Sequence, residues 1–81
     1  MKEFDNYGKP TSLYIEKLKE MDKDQLLKET EGMIFLSAFA GNNPKSDYHW
    51  QCDACYDECV SRDDLGLIYN QAYKNTTAGL K

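Results

Sequence analysis

Residues 22–44 read DKDQLLKETEGMIFLSAFAGNNP, and this stretch decides the fold. Asp22 followed three residues later by Gln25 has the form of a capping box, in which the cap side chain bonds a backbone N–H and the Gln reaches back. A helix therefore starts at Asp22. Leu26, Thr30, Met33, Ser37 and Ala40 then share one face at roughly 100° per residue, with Leu27, Ile34 and Ala38 beside them. Gly41-Asn42-Asn43-Pro44 supplies a C-cap and a breaker. Phe35 and Phe39 point away from the core stripe with Leu36 between, so Met33 to Ala40 is apolar almost all round. Such a half-helix is central in a bundle or part of an interface. The central place is expected, because a small domain needs its aromatics for its core. The alternative makes Met33, Phe35, Leu36 and Phe39 a self-association patch and the protein a homodimer.

Upstream, Pro10-Thr11-Ser12 offers helix start signals, and Tyr14, Leu18 and Met21 follow at i, i+4, i+7 with Ile15 widening the stripe, which predicts a helix over 11–21. Residues 1–9 carry no period and end in Gly8-Lys9-Pro10, which reads as a flexible or loosely docked arm. Downstream, Ser46 or Asp47 can cap a third helix reaching about Arg62, and Asp63 or Asp64 can cap a fourth. On that fourth helix Leu65, Ile68, Tyr69, Ala72 and Tyr73 have core-facing spacing despite Gly66, and residues 75–81 are expected to fray as a flexible tail. No β-branched alternation suggests a strand. The fold class is all-α: a small helical bundle of three main helices plus a shorter C-terminal fourth, in one helical domain over 10–74.

Composition narrows the function classes. An 81-residue chain has room for one domain, and 41% hydrophobic residues with one Trp, six Tyr and three Phe suffice for a core. A net charge of −4 disfavours the broad phosphate-binding face of a nucleic-acid binder. The N-terminal residues are charged where a secretory signal needs an apolar stretch. The longest apolar run, 33–40, is well short of the roughly 20 residues of a membrane span. A soluble cytoplasmic protein is expected. Cys52, Cys55 and Cys59 are odd in number and lie within eight residues, so they cannot staple distant segments, and reduced thiols fit best. Asn75-Thr76-Thr77 matches a glycosylation acceptor, a reading that requires secretion.

His49, Cys52, Cys55 and Cys59 form H-x2-C-x2-C-x3-C, the donor types that zinc prefers. On a helix, however, Cys52 and Cys59 lie about 10 Å apart along the axis, too far for one ion with metal–sulfur bonds of about 2.3 Å. No second ligand pair is present. The stripe is instead expected to be buried, on the inner face of helix three alongside Tyr48 and Tyr56, and no cofactor is expected. Cys52-Asp53-Ala54-Cys55 is also C-x-x-C, but redox motifs of that form belong to strand–helix surroundings that this chain lacks. Nearby Asp53, Asp57 and Glu58 are expected to raise the thiol pKa values.

Charge is unevenly distributed. Residues 47–64 hold Asp47, Asp53, Asp57, Glu58, Asp63 and Asp64 against Arg62 alone, a balance of −5. On a helical wheel Asp53 and Asp57 share a face with Trp50. The partner-binding set read from this pattern is Trp50, Asp53, Asp57, Glu58, Asp63 and Asp64, with the indole as anchor and the acids steering a basic protein surface. The alternative folds Trp50 back onto Phe39 or Phe35 of helix two. Catalysis is not expected: His49 is the only histidine, and no G-x-S-x-G, P-loop, H-E-x-x-H or dinucleotide fingerprint is present. Helices three and four could form a helix-turn-helix, but helix four carries one cation, Lys74, after an acidic turn.

The expected function is a non-catalytic interaction module, an inhibitor or adaptor that presents an acidic helix to a larger basic and nucleic-acid-binding partner without touching nucleic acid or membrane itself. An inhibitor from a phage or mobile element, aimed at a host defence complex, fits the size and charge. A self-associating regulatory subunit is the alternative, and a Cys-dependent zinc or redox protein the third class.

Overall fold

The computed structural model describes residues 3–43 and 45–78, apart from the side chains of Leu65 and Ala78. Among them are four α-helices: α1 (Thr11–Glu20), α2 (Lys23–Phe39), α3 (Asp47–Ser61) and α4 (Asn70–Ala78), with a π-helical turn, Leu65–Tyr69, leading into α4. This is the all-α bundle expected, with three main helices and a shorter fourth.

Local chemistry explains the boundaries. At Asp22 the box forms as read: Asp22 Oδ1 accepts the Gln25 N–H at 2.8 Å, and Gln25 Oε1 accepts the Asp22 N–H at 3.0 Å. Ser46 caps α3 by accepting the Tyr48 N–H at 3.2 Å. At the other end of α3, Asp63 takes the left-handed conformation, with φ of 57°. Its N–H donates to Val60 O and that of Asp64 to Cys59 O, both at 3.0 Å. These two bonds define a Schellman turn, with an Asp where Gly is usual.

The stretch read as an arm is engaged in the described residues. Phe4 and Pro10 form an antiparallel bridge, and Asp5 Oδ1 accepts the N–H groups of Tyr7 and Lys9 at 2.8 and 2.9 Å. Glu3 O accepts the Thr11 N–H at 3.0 Å and so caps α1, which has no side-chain cap of its own. Helix α4 continues through 75–78, where a tail was expected; residues 79–81 and 1–2 lie outside the described residues.

α2 packs against α3, α4 and the π turn, and α1 packs against α3 and reaches α2 through the Tyr14–Glu29 hydrogen bond. The core cluster is Leu18, Leu26, Ala54, Cys55, Cys59 and Ile68, with Tyr14, Ile15, Met21, Leu27, Met33 and Tyr69 packed against it. Leu18, Leu26 and Ile68 are fully buried, and each contributes about 1.5–3 kcal/mol through removal from water. On α2 the buried line is Leu26, Thr30 and Ile34, so Ile34 takes the place that the sequence pattern gave to Met33 and Ala38 is exposed. Ile68 in the π turn and Ala72 on α4 are buried, whereas Tyr73 is exposed and corrects the core stripe read from spacing. The wider π turn changes the angular phase on which that stripe relied. The predicted role of Leu65 lies outside the described residues.

The domain measures 33 × 29 × 16 Å. Packed helices lie about 8–10 Å apart axis to axis, so the short axis holds two layers of helix, with the core between them. Phe35, Phe39, Val60 and Leu67 remain exposed on the outside of these layers. No helix among the described residues is long and apolar enough to cross a membrane.

Candidate functional site

Helix α3 carries both the cysteine stripe and the acidic segment, and it is covered on two flanks. Cys55 and Cys59 are fully buried in the core, while Trp50 and Ala54, one turn apart, are buried toward α1. What remains outward is a narrow strip: Asp53, Tyr56, Asp57 and Val60, at i, i+3, i+4, i+7.

Trp50 is thus not the exposed anchor of this strip. It is 7% exposed, its ring meets Tyr14 of α1 edge-on at 5.6 Å, and its Nε1–H donates to Asp47 Oδ1 at 2.8 Å. Nor does it fold onto Phe35 or Phe39. A helical wheel places Trp50 near Asp57, but it does not say which flank the next helix covers. α1 covers this one, and burial of the indole is stabilised by a nearby carboxylate acceptor.

The exposed apolar side chains on this strip are Tyr56 and Val60, 41% and 52% exposed, with Tyr56 between Asp53 and Asp57 and Val60 one turn beyond Tyr56. The expectation that Tyr48 and Tyr56 lie on the inner face is corrected, since both are exposed. Tyr56 is held from one side by Tyr69, with ring centroids 5.0 Å apart and planes at 88°. The signal that could have found this pair is the D-x2-Y-D-x2-V spacing of residues 53–60.

The acids divide into two groups. Asp53, Asp57 and Asp63 are exposed, and Asp53 and Asp57 make no ion pair among the described residues. Glu58 is committed inward: its Oε2 accepts Arg62 Nε–H at 2.7 Å. The same guanidinium donates through NH2 to the carbonyls of Leu18 and Met21, both at 2.8 Å, and so closes the C-terminal end of α1. Asp64 is half-buried and its carbonyl accepts the Ile68 N–H at 2.9 Å, which makes it part of the turn into the π segment.

The residues read as weak zinc candidates do not converge. His49 Nε2–H donates to the Ala40 carbonyl at 3.0 Å, which leaves Nδ1 to pair with the Ser37 hydroxyl at 2.8 Å. Both ring nitrogens face the end of α2. Cys52 lies 4.0 Å from the Tyr69 hydroxyl, and Cys55 lies 3.6 Å from that of Tyr14. Tyr14 gives its one proton to Glu29 at 2.6 Å, so the Cys55 S–H donates to the Tyr14 oxygen. Among the described residues no group of three His, Cys, Asp or Glu side chains could hold a metal ion.

All three thiols are free, and all have raised pKa values. Burial pushes Cys55 up to about 11 against the opposing Tyr14 and Thr30 hydroxyls. For Cys52 burial again leads, with Asp53 adding to it, so the acids named from sequence are the lesser cause. Thr30 Oγ1 is fully buried without an oxygen or nitrogen partner, and its polar surroundings are the thiols of Cys55 and Cys59. Burial likewise raises the Tyr14 hydroxyl and pushes Tyr69 up to about 12. These thiols and hydroxyls form a polar cluster set in an apolar core.

The proposed self-association quartet separates. Met33 packs on the core and Leu36 is half-buried, whereas Phe35 is exposed and Phe39 is 82% exposed. Comparison with protein-family models, with curated proteins and with solved structures finds no match to this chain.

Proposed function

We propose that the chain is a non-catalytic interaction module that binds the basic surface of a larger protein through the outer strip of α3. The observation that carries this reading is the pairing of two carboxylates that make no ion pair among the described residues, Asp53 and Asp57, with exposed Tyr56 and Val60 on one helix face. Carboxylates at the rim steer a cationic partner and raise its association rate, while a pre-positioned tyrosine contributes contact area at little entropic cost. Tyr56 is already braced by Tyr69, so little ordering remains for binding. An inhibitor or adaptor acting on a nucleic-acid-binding machine is the role we favour, and one carried by a phage or mobile element against a host defence complex is a case of it. Three free, largely neutral thiols suit a reducing cytoplasm.

The test is affinity capture from lysate of the native host, with wild type beside Asp53→Lys/Asp57→Lys and Tyr56→Ala. Partner recovery drops in both variants while melting temperature stays within a few degrees. Equal recovery by all three proteins rejects the reading.

Phe35 and Phe39 support a second reading, self-association through the end of α2, because the two exposed rings lie one turn apart on the same helix and an apolar patch marks an interaction surface. Light scattering across a concentration series separates the two: a dimer that Phe39→Ser dissolves favours the second, a monomer throughout the first.

A further inference from the structure

We propose that the cleft between α1 and α3 receives one arginine side chain of the basic partner, its stem on Ile15 and Ala54 and its guanidinium on Asp57. This rests on the interaction reading above and names the chemistry of one contact within it. The cleft has a volume of about 260 Å3 and is lined by Ile15, Lys19, Ala54, Asp57, Glu58 and Ser61. Ligand pockets run at about 300–1,000 Å3, so this groove suits one long side chain better than a multi-ring molecule.

Floor and rim differ in character. Ile15 and Ala54 make an apolar floor, one half-buried and the other buried. Glu58 is taken by Arg62 at 2.7 Å, which leaves Asp57 as the carboxylate that makes no ion pair among the described residues; Lys19 lines the cleft from α1. Lys19 offsets Asp57 and Arg62 offsets Glu58, so the cleft itself is balanced and the pull on a cation comes from the surrounding segment 47–64, which carries −5; exposed Lys19 can turn away to solvent and leave Asp57 to the incoming group.

Arginine fits better than lysine for two reasons. Its weakly hydrated planar head stacks on an apolar floor, and its fork engages a carboxylate by two parallel bonds. The fold already contains such an arrangement one turn further along: Arg62 spans the same two helices, with Nε–H on Glu58 and NH2 on the α1 carbonyls. An incoming guanidinium would repeat the carboxylate half of that bridge at Asp57.

The experiment is an amide-shift titration with a capped hexa-arginine peptide and, separately, hexa-lysine. Hexa-arginine is expected to move the amides of Ile15, Lys19, Ala54, Asp57 and Ser61 and to bind about tenfold tighter than hexa-lysine. Ser61→Phe fills the cleft without changing charge and weakens hexa-arginine about tenfold, whereas Lys19→Glu on the exposed rim tightens it. Equal affinity for the two peptides, or a Ser61→Phe protein that titrates like wild type, overturns the proposal. If Asp53→Lys weakens binding and Ser61→Phe does not, the peptide sits on the outer strip: the cleft falls and the interaction reading stands. Absence of binding by either peptide also overturns the cleft, and the capture experiment then decides the interaction reading independently.

Discussion

Trp50 donates its indole N–H to Asp47 across 2.8 Å, one turn back on α3, and the same Oδ1 accepts the backbone N–H of Asn6 at 3.1 Å. One carboxylate thus fixes the buried tryptophan and pins the N-terminal turn, whose Asn6 also donates through Nδ2 to Lys45 O at 2.8 Å. Asp47→Ala leaves a buried N–H without its acceptor and is expected to cost about 2–3 kcal/mol, since an unsatisfied buried donor carries its full desolvation penalty. Asp47→Asn keeps an acceptor oxygen and loses less. Urea unfolding followed by Trp50 fluorescence gives both values, and equal stability of Asp47→Ala and wild type would reject the junction.

Arg62 joins α3 to carbonyls more than 40 residues earlier in the chain, with Leu18 O at 2.8 Å. Arg62→Ala uncaps α1 and leaves half-buried Glu58 without its cation, an expected loss of about 2–4 kcal/mol. Arg62→Lys keeps the charge, but one ammonium cannot span Glu58 and two carbonyls, so it recovers only part of the loss. Guanidinium denaturation with an unchanged slope measures this ordering, and full recovery by lysine would show that charge alone matters.

Two backbone positions are expected to be improvable. Asp63 sits at φ 57° in a turn that favours glycine, so Asp63→Gly gains about 1 kcal/mol. Gly32 lies inside α2, and a Cβ there meets nothing within 4 Å. Gly32→Ala is expected to add about 0.5–1 kcal/mol through helix propensity. For a domain of this size each gain is worth about 4–8 °C in melting temperature, readable by calorimetry. A lower melting temperature for Asp63→Gly would mean that the Asp side chain supports the turn.

The residues just named show what was legible in the sequence. The Asp22–Gln25 box could be read because both halves of the motif are local and three residues apart. The Asp63 turn follows the same backbone logic, but it was hidden because the usual glycine is absent. Trp50 was misplaced for a different reason. Periodicity orders side chains around one axis and is silent on which neighbour covers each flank, so α1 decided between Trp50 and Tyr56. The acidic segment was legible as a charge count, yet Glu58 turned inward because Arg62 sits at i+4 with carbonyls of α1 beyond it.

The buried thiols give a pH signature. Cys55 is held neutral in the fold, with its pKa pushed up to about 11 by burial. An acid whose folded pKa lies above its unfolded value binds more protons when folded, so its contribution is complete below the ordinary thiol range and declines as pH rises toward 11. Stability is therefore expected to fall between about pH 9 and 11, by a few kcal/mol at most for this group, and Cys55→Ala to flatten the decline. Thiol-reagent kinetics at neutral pH should likewise be slow for Cys55 and Cys59 until the protein is unfolded. Rapid labelling of all three cysteines in the native state would contradict the buried stripe.

The three extents, 33, 29 and 16 Å, make the domain about twice as wide as it is thick. Its rotational diffusion is therefore anisotropic, and amide relaxation rates depend on the angle each helix makes with the short axis. Relaxation of the free protein thereby reports helix orientation independently of any contact.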